Sequence, residues 1–453
     1  MAVLGFHVVI SLIVLTLISK LGTRISIIQL FIVKGLYRYL APTNNELRSL
    51  LPSSKEKTNP RLRRRKREEE DMSGFNVPKH IPLSLNRAPV NELELQNFPL
   101  FTSVHWLSLY VPLCLVTYVL SEVFLYYFPS NGDMNISIIW LFIGVAFVMQ
   151  VLARLTAWLI VNQDERSLLF TFGALYFLIS CIFTMWSNRF FDVDMLKAYD
   201  QFGINIDKFM EEIGNVAETD GKLKSPLLLY ISLSVLFSLL SAMLVFPNFR
   251  FANMYTRALE VASVPSRIVL HLSFLMPLFT LTLYLHPVKA HLVHGKRMLF
   301  TEESLDIFRI YTVIFTLLLR LALRKQHLQA HLDMPHEKVQ ELQKETGHVR
   351  NTALQSLIFR YYSYFSAVVL QYFSPILLAF FFALLLKTTG GLSWVASPQE
   401  VDITSSTVTM GAIRSIFDQF ICRSIWTYAL IITTFINFSL SMLGVMYNTY
   451  FAK

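Results

Sequence analysis

Long apolar runs separated by polar stretches recur along most of the chain. Beyond residue 100 they cover residues 103–128, 136–161, 167–186, 226–246, 268–286, 305–323, 365–386 and 425–446. A helix rises about 1.5 Å per residue, so each run is long enough to cross the roughly 30 Å hydrocarbon core of a bilayer. With a further apolar run at residues 2–19, the pattern predicts nine spans, or eight if the first is removed. The predicted fold class is all-α, a polytopic helical membrane protein with about 8–9 transmembrane helices plus interfacial amphipathic helices.

The N-terminal region predicts an anchor followed by a polar loop. Residues 2–19 lack a positive n-region, and Lys20 and Arg24 follow them instead of a small-x-small cleavage site, which favours an uncleaved anchor over a signal peptide. The next apolar run, at 25–40, carries Lys34 and Arg38 on one face and is expected to lie in the interface. Residues 41–99 are polar, and we expect a basic, largely disordered cytosolic loop there.

A dense run of positive charge marks this loop and is followed at once by four acidic residues. Its members are Arg61, Arg63, Arg64, Arg65, Lys66 and Arg67. The leading interpretation is a solvated segment that keeps the loop in the cytosol, and the main alternative is docking to anionic lipid. A sorting signal or nuclear import signal is a minor alternative.

Placing this loop in the cytosol assigns a side to every other loop. The loops at 187–225 and 387–411 are then external and are acidic, whereas the arginine-containing loop at 248–267 is cytosolic. The external loop at 287–304 is the exception, because it holds Lys289, Lys296 and Arg297. The predicted division is an N-terminal anchor and interfacial segment at 1–40, the loop at 41–99, six spans at 100–323, a cytosolic charged helix at 324–353, and two spans with a short amphipathic segment at 354–453.

Three segments outside the predicted spans have helical patterns. Residues 248–262 carry a polar stripe and are expected to lie on the membrane, whereas residues 324–350 are charged almost all round and are expected to project into water. Residues 412–423 are amphipathic but too short to span, so they are either interfacial or re-entrant.

Composition excludes most soluble enzymes and nucleic-acid-binding proteins. Of 453 residues, 54% are hydrophobic and 16% are charged, whereas soluble chains have about a quarter charged residues. The net charge of +9 lies largely in loops, so it indicates topology and attraction to anionic lipid, with no nucleic acid expected as a partner. Three separated cysteines in apolar runs argue against disulfides and zinc clusters.

Polar residues within predicted spans are the usual functional candidates, because their insertion is costly. Arg154, His271 and Arg320 are placed near the cytosolic face, where they can reach water. Glu122 is near the outer end of its span, too far from Arg154 to pair, and either lines an outward cavity or is protonated or hydrogen-bonded between helices. The full candidate set is Glu122, Gln150, Arg154, His271, Arg320, Gln371 and Asn437.

Two groups of histidines suggest a metal site only weakly. His286, His291 and His294 form one group, and His327, His331 and His336 form the other. The predicted topology separates the groups by the membrane, and Asp333 is the only suitable carboxylate nearby. P-loop, nucleophile-elbow and Rossmann motifs are absent, and the string TVTMG at 407–411 resembles a potassium filter only in part. We therefore expect no catalytic residue, cofactor or metal ligand.

The string Asn135-Ile136-Ser137 is an acceptor for an N-linked sugar. It precedes the run at 136–161 on the side predicted to be external. Asn135 is therefore a predicted glycosylation site.

Several strings along the chain carry a family resemblance nearly end to end. They are MNISIIW at 134–140, ERS at 165–167 with TFG at 171–173, FP at 246–247 with Arg250 and Met254, HLQA at 327–330, LQY at 370–372 with Pro375, LKT at 386–388 with SW at 393–394, and PT, ELR and VPK at 42–43, 46–48 and 77–79. The chain thereby resembles the transmembrane protein 161 family, although residues 398–409 look shorter than in its vertebrate members.

The resemblance implies a multi-pass membrane protein linked to restraint of potassium and calcium currents, calcium balance, and excitability of heart and nerve. One branch of the family is linked to resistance to oxidative stress. The resemblance implies no catalytic residue. We expect a non-enzymatic modulator of ion flux that contacts ion channels or pumps in the plasma membrane or endomembranes; the alternatives are a channel or transporter and, less favoured, a lipid-acting enzyme.

Overall fold

The computed structural model describes residues 9, 11–17, 20, 26–51, 74–127, 137–160, 163–212, 226–295, 298–394 and 416–451. The chain divides into two compact units. The bundle unit comprises Met1–Ser26, Trp106–Ala322 and Leu370–Lys453, and the small unit comprises Ile27–His105 and Leu323–Val369. The small unit is therefore built from two segments that lie far apart in the sequence.

Helices dominate the described residues, as the apolar pattern predicts. In chain order they are α1 Asn44–Leu50, α2 Glu92–Leu95, α3 Phe101–Tyr127, α4 Ser137–Leu159, α5 Gln163–Phe190, α6 Met195–Glu212, α7 Leu227–Val261, α8 Val264–Leu283, α9 His286–Val293, α10 Glu302–Ala322, α11 Arg324–Lys344, α12 Asn351–Ser363, α13 Phe365–Thr389 and α14 Gln419–Tyr450. A short π-helix, Ile28–Val33, precedes them. The four strands have three residues each: β1 Tyr37–Tyr39, β2 Asn76–Pro78, β3 Arg87–Pro89 and β4 His348–Arg350.

The predicted all-α membrane fold is confirmed. In the described part of the chain, seven stretches are long and apolar enough to cross a membrane, and they coincide with α3, α4, α5, α7, α8, α12 together with α13, and α14. The predicted run at 305–323 is also helical, as α10, but Asp306, Arg309 and Arg320 make it less apolar. Most of the predicted anchor at 2–19 lies outside the described residues.

The bundle core is centred on α13, because that helix is apolar on every side and so buries its whole circumference. Helix α7 packs against both α5 and α14. A β-carbon built at Gly444 of α14 would lie 2.7 Å from the Cβ of Ala252 in α7. Glycine at this position therefore permits the close approach of the two backbones.

The small unit corrects the expectation that residues 41–99 are largely disordered. Residues 41–51 and 74–99 contain α1, α2, β2 and β3, while residues 52–73 lie outside the described part. Strand β1 pairs antiparallel with β3, and β2 pairs antiparallel with β4 from the second segment. The shared hydrophobic core contains Leu47, Val77, Ile81, Val339, Leu354 and Ile358. The loop lacks enough apolar residues to fold alone, but the distant segment supplies the missing face.

The predicted water-exposed helix at 324–350 is wrong in extent and in burial. Helix α11 ends at Lys344, and residues 348–350 form β4. Leu328, Leu332 and Val339 are buried, as are His327 and His331. These apolar positions form one face of α11, and this face packs in the small unit. The helix carries so many charged residues that its average composition does not reveal the apolar face. The separate boundaries at 41–99 and 324–353 are replaced by one unit.

Two further local predictions change. The segment at 248–262 is not a separate surface helix, because it continues α7 through Pro247. Residues 419–423 of the amphipathic segment form the start of α14, which Asp418 caps by accepting a hydrogen bond from the Gln419 amide. The predicted external loop at 187–225 contains an additional helix, α6, whose Phe202 ring packs against Phe417.

Candidate functional site

A polar cavity lies within the bundle unit, between α7, α8, α10, α13 and α14. Its volume is about 30 Å³, and its polar lining consists of Asn248, Thr280, Thr316, Arg320, Thr434 and Asn437. Pro277 and Pro375 also line it. A proline inside a helix removes one backbone hydrogen bond and loosens local packing. The cavity therefore lies where a proline removes a backbone hydrogen bond from each of two continuous helices, and it accommodates about two water-sized spheres.

Two asparagines on neighbouring helices form one wall of this cavity. The side-chain amide of Asn248 donates to the Leu244 carbonyl at 2.9 Å and to Oδ1 of Asn437 at 3.0 Å. The hydroxyl of Ser441 donates to Oδ1 of Asn248 at 3.2 Å. The Nδ2 of Asn437 makes only a long contact, 3.4 Å, with the Pro375 carbonyl. Asn437 thus retains hydrogen-bonding capacity beside the cavity.

Threonines form the opposite wall. The hydroxyl of Thr280 lies 3.0 Å from the Met276 carbonyl and 3.1 Å from the hydroxyl of Thr312. Thr316 donates to the backbone of α10 one turn earlier. These bonds satisfy the hydroxyl protons within the helices and leave oxygen lone pairs available to the cavity.

Arg320 borders the cavity and is 8% exposed. Its guanidinium lies 3.3 Å from the centre of the Phe251 ring and 5.8 Å from that of Tyr372. The Tyr372 hydroxyl donates to the Arg320 backbone carbonyl, whereas Nε of Arg320 has no hydrogen-bond partner in the part of the chain that the structure describes. The expectation that Arg320 reaches water at the cytosolic face is therefore wrong, because aromatic rings from α7 and α13 enclose the side chain.

Glu122 forms an ion pair that the sequence reasoning missed. Lys387 of α13 donates to its carboxylate, and the indole of Trp394 donates to the same oxygen at 3.2 Å. The two charged side chains are 16% and 9% exposed, respectively. Of the alternatives open from the sequence, the hydrogen-bonded carboxylate between helices is the one observed. The available signal was Lys387 itself, a lone cation at the end of a long apolar run.

A second ionic cluster joins α10 to α8, α9, α14 and the loop after α5, and was also missed. Arg309 donates to Asp192 at 2.8 Å, to Asp306 at 2.7 Å and to the Leu283 carbonyl. Lys289 donates to the other oxygen of Asp192 at 2.9 Å, and Arg423 pairs with Asp306. Burial acts to raise the pKa of Asp192, but hydrogen bonds and charge from Arg309 and Lys289 outweigh it and hold the pKa below its ordinary value. Asp306 and Arg309, three residues apart in an apolar run, were the signal.

The remaining candidates do not join the cavity. Gln150 and Arg154 are exposed on α4, and Gln371 is buried within α13. His271 lies on α8 with its Nδ1 2.7 Å from the Tyr255 hydroxyl. The structure therefore brings Arg320 and Asn437 to one cavity and leaves the others at separate places in the bundle unit.

Four of the six histidines have separate partners. Within the small unit His327 contacts the Leu323 carbonyl, His331 contacts the Tyr361 carbonyl, and His336 stacks on Tyr39. In the bundle unit His286 contacts the Asn188 carbonyl. Among the residues that the structure describes, no group of three or more histidine, cysteine or acidic side chains is arranged to hold a metal.

Asn135 and the basic run from Arg61 to Arg67 lie outside the described residues. Glycosylation at Asn135 and lipid contact by the basic run therefore stay predictions.

Comparison with known proteins gives one informative match. The family model described as predicted transmembrane protein 161AB matches residues 2–409 and 400–452. No solved structure matches the chain. The family match covers essentially the whole sequence and agrees with the helical membrane fold. The chain therefore belongs to the transmembrane protein 161AB family.

Proposed function

We propose that this protein is a non-enzymatic, multi-pass membrane protein that modulates potassium and calcium currents, and thereby calcium homeostasis and excitability, through partner channels or pumps. The observation that carries the proposal is that polar side chains of the bundle unit are bonded to one another. Glu122 is engaged by Lys387 and Trp394, and Asn248 is engaged by Asn437 and Ser441. Side chains of a conducting path have to be free to coordinate a passing ion, whereas these contact one another.

The small unit supplies a surface for such a partner. It has its own hydrophobic core, so its exposed residues are held in fixed positions. On α11 the exposed pair Lys338 and Glu341 presents opposite charges three residues apart. Exposed charges of this kind set partner choice and association rate more than the stability of the fold. We propose that this face of α11 contributes to partner recognition.

The first experiment compares the purified protein with the protein in cells. In liposomes that contain this protein alone, we expect no flux of potassium or calcium above that of empty liposomes. In cells, expression is expected to reduce potassium or calcium currents. Exchanging the two α11 charges, Lys338→Glu with Glu341→Lys, keeps the intramolecular pair but inverts the pattern offered to a partner. Loss of current modulation by this double variant, with normal surface expression, supports the proposal.

A matched control uses Lys197 and Asp194, an exposed pair at the same spacing in the bundle unit. Exchanging these two charges is expected to leave current modulation unchanged. If the α11 exchange has no effect, the docking face is wrong. If the liposomes conduct, modulation through a partner is wrong as well.

The alternative function is that the protein itself conducts or transports ions. The polar cavity of the bundle unit favours this alternative, because transporter sites lie among the spans and are lined by polar groups. Flux from the purified protein that disappears in Asn437→Leu, in a variant whose Tm matches that of the wild type, would establish it.

A further inference from the structure

The guanidinium of Arg320 is a buried charge whose described neighbours carry no opposite charge. The acidic side chains of the bundle unit that lie deepest are engaged elsewhere: Glu122 pairs with Lys387, and Asp192 and Asp306 pair with Arg309. Arg320 forms none of the ion pairs found among the described residues. Burying a charge without a counter-charge is strongly unfavourable, because the charge loses its hydration and gains nothing in return. Such a site favours an ion of the opposite sign.

Aromatic contacts stabilise the guanidinium only in part. Phe251 covers one face of its plane, and Tyr372 lies farther away. The attraction between a cation and a ring is weaker than the cost of burying the charge. Stacking also leaves the N–H groups at the edge of the plane available, and Nε has no partner among the described residues. The rings therefore orient the guanidinium without satisfying its donors.

The cavity beside Arg320 offers space and a second donor. Asn437 lines the same cavity, and its Nδ2 makes only the 3.4 Å contact with Pro375. Two donors from different helices, one charged and one neutral, can converge on one acceptor. Threonine hydroxyls complete the polar wall and can hold one water beside the ion.

The volume decides the size of the ligand. A cavity of about 30 Å³ accommodates about two water-sized spheres. A monatomic anion with one water matches this volume more closely than a phosphate headgroup or a carboxylate attached to a chain. We propose that the cavity binds a single monovalent halide, chloride under physiological conditions, between the guanidinium of Arg320 and the side-chain amide of Asn437.

The bound anion would neutralise the buried charge and link α10 to α14. Charge-assisted hydrogen bonds are stronger than neutral ones, especially where water is excluded. Anion binding therefore stabilises the arrangement of these two helices. This inference concerns a resident ion and is independent of whether the protein modulates or conducts currents.

The test measures chloride binding to the purified full-length protein in lipid nanodiscs. Radioactive chloride is titrated with gluconate as the replacement anion, so that ionic strength stays constant. Saturable binding of one chloride per chain, displaced by bromide, is expected. Arg320→Met is expected to weaken binding at least about tenfold, because a charge-assisted hydrogen bond is lost. The control Arg154→Met removes an exposed arginine of α4 and is expected to bind as wild type.

Thermal unfolding gives an independent readout. Chloride is expected to raise the Tm of the wild-type protein relative to gluconate, and this increment is expected to disappear in Arg320→Met. If Arg320→Met does not fold, Asn437→Leu keeps the charge and removes the second donor, so it is expected to retain weakened chloride binding. Absence of saturable binding by the wild-type protein, or wild-type affinity in Arg320→Met, would overturn the proposal and indicate a cavity filled by water.

Discussion

The ammonium of Lys387 donates to the carboxylate of Glu122, and this contact joins α13 to α3 across 265 positions of sequence. Both side chains are largely buried, so neither charge is well solvated. Each charge therefore lowers the free-energy cost of burying the other, and the stability of the bundle unit depends on the intact ion pair.

Removal of one partner alone is expected to destabilise the protein. Lys387→Met leaves Glu122 buried and unpaired, and Glu122→Gln leaves Lys387 in the same condition, at a cost of about 3–5 kcal/mol each. The double variant Glu122→Gln with Lys387→Met removes both charges and is expected to recover much of the loss. Thermal unfolding in detergent measures this double-mutant cycle. Additive losses in the double variant would show that the two residues act independently.

The approach of α14 to α7 predicts intolerance of a single methyl group. Gly444→Ala would place its Cβ 2.7 Å from the Cβ of Ala252 and 3.3 Å from the Cα of Phe249. Such overpacking costs about 1–3 kcal/mol. Gly173→Ala is the matched control, because its nearest neighbour would lie 3.8 Å away and no strain is expected. Ala252→Gly should rescue Gly444→Ala, and equal Tm values for the two single glycine variants would contradict the packing.

Asn351 lies in the second segment of the small unit and holds the first segment in place, so we expect the order of the first segment to depend on it. Its Oδ1 accepts from the Phe75 amide at 3.0 Å, and its Nδ2 donates to Asn44 at 3.0 Å. Asn351→Ala removes the acceptor of the Phe75 amide and one of the hydrogen bonds to Asn44, to which Gln355 also donates, at a cost of about 1–3 kcal/mol. Limited proteolysis is expected to cut faster near Phe75. Asn351→Asp keeps the acceptor and is expected to have a smaller effect; unchanged cleavage in Asn351→Ala would show that the two segments are held without it.

Asp333 predicts a pH dependence of the small unit. Burial raises its pKa above the ordinary 3.8, although hydrogen bonds from Gln329 and Tyr37 oppose this change. A carboxyl whose pKa is raised by folding stabilises the fold at pH below the unfolded value, and this stabilisation is lost as pH rises through the folded value. At pH 7, Asp333→Asn is therefore expected to be more stable than wild type, since the amide can still accept from Gln329.

The difference between Asp333→Asn and wild type is expected to vanish as pH falls below about 4, where the wild-type carboxyl is protonated. Hydrogen exchange of the small unit between pH 3.5 and 7.5 would follow it, with Glu341→Gln as the exposed control. An Asp333→Asn variant that is less stable than wild type at pH 7 would mean that the charged form makes contacts outweighing its burial.

The one-dimensional pattern predicts the helices well, because a span needs only a sufficiently long apolar run. The same pattern makes Glu122 and Arg320 stand out, because each is a charged residue within an apolar run. It does not predict their surroundings, since Lys387 and Phe251 come from distant helices. Arg320 was expected to reach water because depth was counted along α10 alone, whereas burial depends on the rings packed around it.

In the small unit, the sequence pattern fails to predict that the region is folded. Leu47, Val77 and Ile81 are isolated apolar residues in a polar loop, and composition averaged over the loop indicates disorder. Their partners, Val339 and Leu354, come from a segment more than two hundred residues later. Local sequence carries the capping box at Thr43 and Glu46 but not this long-range pairing.

The antiparallel pairing of β2 with β4 has a consequence for how the chain is threaded through a bilayer. Val77 lies opposite Val349, so both strands occupy the same side of the membrane, and the chain between them makes an even number of crossings. In the described part of that interval, five helices are apolar enough to cross: α3, α4, α5, α7 and α8. Five crossings would leave the strands on opposite sides. Helix α10 carries five charged residues, Glu302, Glu303, Asp306, Arg309 and Arg320. Because an even number of crossings is required when all five of these helices span, we predict that α10 is the sixth, so that the pairing of two short strands sets the number of times the chain passes through the lipid.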